Sequence, residues 1–129
     1  MIEFEGLVKK FGSRTILNGL SLKIETGEII FILGTSGTGK SVLLKTIVGL
    51  LRADGGRIRI AGQDVTNFSE EDYLPVRRRC GMVFQHPALF DSMSVIENVA
   101  YGLMKHEGQT LEQARARSRE CLAMVGLAG

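Results

Sequence analysis

The chain has 129 residues, 44% of them hydrophobic and 23% charged, a length and balance that suit one ordinary domain and exclude disorder as the main state. Sixteen Lys and Arg against fourteen Asp and Glu leave a net charge of +2, too little to act by itself as an electrostatic footprint for nucleic acid. The longest wholly apolar run, Ile29 to Leu33, falls far short of the roughly 20 residues that cross a bilayer. The first five residues lack the basic start and apolar core of a secretory signal, so a cytoplasmic location is expected. Cys80 and Cys121 stand far apart and outside any Cys-x-x-Cys pair, and are expected to be buried or inert thiols.

In chain order, residues 2–8 alternate apolar and polar as a half-buried strand does, and a second alternating run follows at 20–25. After a turn at Thr26-Gly27-Glu28, the run 29–33 is β-branched and aromatic without alternation, the pattern of a parallel strand buried on both faces. Glycine then interrupts from Gly34 to Gly39, and 40–51 resumes with Val42, Leu43, Leu44, Ile47 and Leu50 at helical spacing. Asp54-Gly55-Gly56 reads as a turn, 57–60 as an alternating strand, and 61–65 as a turn into another short strand. A small antiparallel layer is therefore expected around the apolar run. Ser69 and Asp72 predict a capped helix reaching Arg77-Arg78-Arg79, with Pro75 near its start, and 82–84 predicts a second short buried strand. Ser94-x-x-Glu97 and Thr110-x-x-Gln113 each predict a helix start, the second helix carrying Leu111, Ala114, Cys121, Leu122 and Val125 on one face.

The segment Gly34-Thr35-Ser36-Gly37-Thr38-Gly39-Lys40-Ser41 satisfies Gly-x-x-x-x-Gly-Lys-Ser/Thr in the strand-to-helix setting that this motif requires. Its glycines permit a loop whose backbone N–H groups converge on an anion, and the following helix N-terminus adds partial positive charge. Lys40 is placed to reach the β and γ phosphates, and the Ser41 hydroxyl to ligate a bridging Mg²⁺. The plain alternative is a glycine turn before a helix. No Asn-Lys-x-Asp guanine reader occurs. Arg77 to Arg79 fit a solvated helix face better than the catalytic lid of a small-molecule kinase.

These residues resemble the nucleotide-binding subunits of ABC transporters along the whole chain. The resemblance implies an α/β P-loop NTPase fold, present here as its N-terminal portion: an antiparallel β layer, the P-loop strand and helix, and the start of the helical subdomain, with the core sheet incomplete. It implies one domain part spanning 1–129, with the β layer and P-loop core to about 86 and helical subdomain from about 87. By the same resemblance Phe11 stacks on adenine, a role its flat ring suits, with burial in a sheet core as the alternative. Gln85 matches the glutamine that helps ligate Mg²⁺, an ion that takes oxygen ligands, while His86 has no visible partner. The ATP-binding set is then Phe11, Gly34, Thr35, Ser36, Gly37, Thr38, Gly39, Lys40, Ser41 and Gln85, with ATP and Mg²⁺ as ligands and Ser41 and Gln85 on the metal.

Residues 85–101 are similar to the Mla branch, which serves phospholipid traffic and organic-solvent tolerance. Leu89, Phe90 and Met93 would then receive a coupling helix of the permease, or else simply pack the helical subdomain. The implied partners are a second ATPase subunit, an integral membrane permease and lipid-binding components of the transporter, at the inner face of the inner membrane. Hydrolysis of ATP is implied for the full-length dimer. The family's Leu-Ser-Gly-Gly signature, Asp-Glu strand end and switch histidine do not occur in these residues, so the 129-residue piece alone is expected to be inactive and self-associating. A soluble ABC-type ATPase acting on nucleic acid or the ribosome, and a non-catalytic nucleotide-binding module, remain open alternatives.

Overall fold

The computed structural model describes residues 1–85 and 88–128, which form two compact units, Met1–Gly81 and Met82–Gly129. The first unit is built on a hairpin of β1 (Ile2–Phe11) and β2 (Arg14–Ile24), longer than the alternation alone predicts. Its turn is tight because Gly12 takes φ 58°, a conformation that costs glycine little. Two further strands, β3 (Gly55–Ile60) and β4 (Gln63–Asp64), complete an antiparallel sheet in the order β2-β1-β3-β4. On β1, Phe4 and Leu7 turn inward to join Leu17, Ile58, Val65 and the helical residues Leu43, Tyr73 and Val76 in one buried cluster. Across the sheet, the Arg59 guanidinium bridges Glu5 at 2.8 Å and Glu3 at 3.5 Å, linking neighbouring strands.

Helix α1 (Lys40–Ile47) presents Leu43 and Thr46 to this core. It ends earlier than the 40–51 periodicity predicts, because Gly49 turns left-handed at φ 68° and the Leu50 and Leu51 N–H groups both fold back to the Lys45 carbonyl. Helix α2 (Glu70–Arg78) starts at the expected Ser69, whose hydroxyl and backbone exchange hydrogen bonds with Asp72. Pro75 is not near the start but sixth of nine residues. Nor is Arg77 a solvated face residue. Its Nε donates to the Val48 carbonyl at 2.8 Å and an Nη to that of Gly49 at 3.0 Å, while the other Nη holds Glu70 at 2.6 Å. The fork thus satisfies the carbonyls at the end of α1, where the helix itself has no donors left. Replacing Arg77 with Met is expected to lower stability by about 1–3 kcal/mol, the cost of orphaning two part-buried acceptors. Urea denaturation reads this directly, and an unshifted midpoint would show that water replaces the fork.

Two expected strands are absent. Residues 29–33 and 82–84 carry no ladder pairing, and their side chains stand out, with Phe31 84%, Leu33 89% and Val83 96% exposed. A strand buried on both faces exists only through hydrogen bonds to neighbours on either side, and no described residue provides them. The core sheet is therefore incomplete, as expected, while the antiparallel layer and P-loop helix are formed.

The second unit consists of α3 (Val95–Glu107) and α4 (Leu111–Met124), each opened by a complete capping box, Ser94 with Glu97 and Thr110 with Gln113. Gly108 at φ 65° closes α3, and the second helix starts at the expected Thr110. On α4 the buried stripe is Ala114, Ser118 and Leu122, whereas Leu111 and Val125, expected on that face, are exposed. The small residues at four-residue spacing set the contact face, and Ser118 enters it by donating its hydroxyl to the Ala114 carbonyl at 2.7 Å. An Arg115 to Glu97 ion pair at 3.0 Å ties the two helices. Cys80 and Cys121 are free and partly exposed rather than buried.

Candidate functional site

The loop 34–39 enters α1 through Gly39, which stands at the cap position with φ 101°. A Cβ there would lie 2.8 Å from Ile16 Cγ2 and 3.3 Å from Leu17 Cδ2, so β2 backs the loop directly and only glycine fits. At Gly34 a Cβ would meet Thr38 Oγ1 at 2.9 Å. Gly34 thus leaves room at Thr38 and Lys40, and Gly39 lets the loop lie against β2.

Helices α2, α3 and α4 each satisfy their first N–H groups with their own Ser or Thr side chain. Helix α1 has no side-chain cap and no acidic residue in its first turn. Its end therefore offers donors and partial positive charge to an outside anion. Lys40 sits at the first helical position with its ammonium turned back on the loop, donating to the carbonyls of Gly34 at 2.7 Å and Thr35 at 2.6 Å, with the Thr38 hydroxyl at 3.4 Å. Thr38 in turn donates to the Thr35 carbonyl at 2.9 Å. A cation, an uncapped helix N-terminus and a glycine loop suit a polyphosphate chain, and the exposed Ser41 follows at the next helical position as an oxygen donor for a hard cation. Ser36 and Gly37 form the exposed turn of the loop.

Phe11, at the end of β1, is 49% exposed and no part of the core cluster. The Lys9 ammonium lies 5.4 Å from its ring centroid. Asp54 accepts from the Lys10 backbone N–H at 2.6 Å and pairs with Lys9 at 3.2 Å, and these bonds, the backbone one foremost, hold its carboxyl below the usual range. Composition gave no sign of this arrangement. Its only sequence signal is Lys9 two residues before Phe11, and Asp54 is too distant to be paired by pattern.

Gln85 falls in the second unit, in an exposed bend, and His86 lies outside the described residues. In the same unit Leu89 and Phe90 are exposed and Met93 is partly buried. Their loop is fastened by Asn98, which sequence reasoning passed over. Its side-chain carbonyl accepts the Phe90 N–H at 2.7 Å, and its amide donates to the carbonyls of Phe90, Met93 and Ser94, each at 3.1 Å. The Phe90 ring then rests against Tyr101 with centroids 4.9 Å apart.

A glycine loop closing on a lysine, followed by a helix left uncapped toward it and flanked by an antiparallel sheet, defines a P-loop nucleotide-binding domain. A family model for the ABC transporter matches residues 17–129, and the chain belongs to that family as part of its ATP-binding domain. It is 44% identical over 128 residues to the methionine import ATP-binding protein MetN of Rhizobium johnstonii, a match that covers 99% of this chain and 35% of that protein. It is 46% identical over 127 residues to the sulfate/thiosulfate import ATP-binding protein CysA of Bordetella bronchiseptica, covering 98% and 34%. Among solved structures, the dimeric post-hydrolysis state of the ATP-binding cassette MJ0796 bound to ADP and Pi superimposes with a TM-score of 0.84 at 30% identity, over 96% of this chain and 56% of that one. The chain spans about a third of the length of the curated relatives it matches. Those relatives are named for methionine and sulfate, so the narrower resemblance to the Mla branch does not rest on them. No helix among the described residues is long and apolar enough to cross a membrane.

Proposed function

We propose that this chain is the N-terminal part of an ABC transporter's ATP-hydrolysing subunit, with the β layer and P-loop core to about residue 86 and the helical subdomain from about residue 87. The observation that carries this reading is the uncapped N-terminus of α1 beside an ammonium held on the carbonyls of its own glycine loop. When nucleotide is present, Lys40 exchanges two neutral acceptors for charged phosphate oxygens, a stronger type of hydrogen bond. Loop amides from Gly34 to Gly39 would orient the phosphates, Ser41 would supply an oxygen to Mg²⁺, and Phe11 would supply a face for adenine. Bound Mg²⁺ neutralises charge on the phosphates. Hydrolysis belongs to the dimer of the full-length protein, a reading supported by the dimeric ADP-bound likeness.

Leu89, Phe90 and Met93 take a permease helix at the cytoplasmic face of the inner membrane, supported by the exposed apolar loop that Asn98 fastens. The cargo reading is phospholipid or another hydrophobic compound, supported by the similarity of residues 85–101 to the Mla branch, with lipid-binding components as further partners. The native protein is expected to bind MgATP and release phosphate, and Ser41→Ala to weaken the Mg²⁺ dependence of both. Turnover indifferent to Mg²⁺ would sink the assignment. For the cargo, a deletion strain should lose phospholipid traffic between its membranes and solvent tolerance while keeping methionine and sulfate uptake. The reverse pattern assigns the import roles for which the relatives are named.

A further inference from the structure

Phe11 does not stand alone on its strand end. Lys9 and Phe11 are two residues apart on β1, a spacing that places side chains on one face of a strand, and the β1–β2 register is irregular between Lys9 and Lys10, where a bulge can re-aim a side chain. The Lys9 side chain is only 12% exposed, unusual for a lysine. Its stem is packed and its ammonium is fixed between two partners, the Asp54 carboxylate at 3.2 Å and the Phe11 ring at 5.4 Å. Asp54 is itself anchored to the strand on both sides, its N–H donating to the Val8 carbonyl at 2.8 Å and its carboxylate accepting from the Lys10 N–H. The turn after α1 thereby grips the end of β1 at the residue before Phe11. With an ammonium over one face and about half of the residue exposed, the ring has its other face open to solvent.

We propose that Lys9 and Asp54 are a positioning pair that holds the Phe11 ring edge and tilt fixed, so that its open face is presented to the base of the nucleotide. The inference rests on the reading of Phe11 as the base platform. A freely rotating exposed Phe must be ordered each time a base stacks, and a ring already held by a cation escapes part of that cost. The ammonium also draws π-electron density toward its own face, leaving the opposite face better suited to an electron-rich purine. Neither residue is asked to touch the phosphates.

That separation supplies the test. Binding of MgATP and of magnesium tripolyphosphate to the native protein is measured by calorimetry, for the unsubstituted form and for Lys9→Met, Lys9→Arg and Asp54→Asn. Lys9→Met keeps the apolar stem, and Asp54→Asn keeps an oxygen for the Lys10 N–H. Both are expected to weaken ATP binding roughly threefold to fivefold and to leave tripolyphosphate binding unchanged, with Lys9→Arg close to the unsubstituted protein. Tripolyphosphate binding also reports that each variant has folded. ATP affinity unaltered by Lys9→Met overturns the proposal, as does an equal loss for both ligands. Failure of the underlying reading looks different: the unsubstituted protein would then bind ATP no more tightly than tripolyphosphate.

Discussion

Lys40→Ala is expected to abolish nucleotide binding and phosphate release by the native protein while leaving its fold intact. The ammonium is a side-chain cation held on the loop, bonded to Gly34 and Thr35 through their carbonyls. Its loss removes the charge that must meet the phosphates, and removal of one such preorganised group costs about a hundredfold to a thousandfold in turnover. The helix itself does not depend on this side chain, since Ala is a better helix former than Lys and α1 is anchored by Leu43 and Thr46 in the core. Thermal unfolding should therefore be close to that of the unsubstituted protein, which separates a lost site from a lost fold. Lys40→Arg is expected to restore little, because a planar guanidinium cannot take the place of a compact ammonium between two carbonyls of a tight loop. Steady phosphate release by Lys40→Ala at the native rate would remove the loop from the mechanism.

Gly56→Ala should produce a large loss of stability in the first unit. Gly56 stands at φ 84°, and a Cβ there would lie 2.5 Å from the carbonyl oxygen of Gly6 and 2.6 Å from that of Glu5. Both obstacles are backbone of the neighbouring strand, at the point where the β1–β3 register shifts between Glu5 and Val8, so no side-chain rotation relieves them. Gly62 provides the control. It has nearly the same φ, 83°, yet nothing lies within 4 Å of its Cβ position. Gly62→Ala should cost about 1 kcal/mol, the backbone preference alone. Gly56→Ala should cost on the order of 3 kcal/mol or more, with the close approach added. A substantial fraction of a domain's stability is at stake, so the expected readout is a lower urea midpoint and poor recovery of soluble protein. Equal midpoints for the two variants would mean that the strands separate at Gly56 without strain.

The same contrast between local and distant causes explains which features could be read in advance. The capping boxes at Ser69, Ser94 and Thr110 were legible because donor and acceptor lie three residues apart. The glycine loop was legible for a similar reason, its chemistry being confined to eight consecutive residues. Arg77 was misread because the carbonyls it satisfies belong to residues 48 and 49, which no local pattern connects to it. On α4, Ala114 and Leu122 are buried as expected, but Leu111 and Val125 are exposed and Ser118, which hydrophobicity alone does not mark, takes a buried place, so steric fit outranked apolarity there. Asn98 escaped notice because an asparagine in a helix has no meaning until the loop it fastens is in place.

Residues 29–33 mark the boundary most clearly. Their composition is that of a buried strand, yet strand formation depends on partners elsewhere, and here the run is unpaired among the described residues and mostly exposed. By itself the sequence determined the elements whose hydrogen bonds close within a few residues: the capped helices, the glycine turns and the phosphate-binding loop. Only the tertiary structure decided which apolar residues are covered, which charges are held, as Lys9 and Arg77 are, and where the open face of Phe11 lies. The physical reason is range. Local hydrogen bonding and backbone preference act between near neighbours along the chain, whereas burial and charge pairing depend on what distant segments bring together in space.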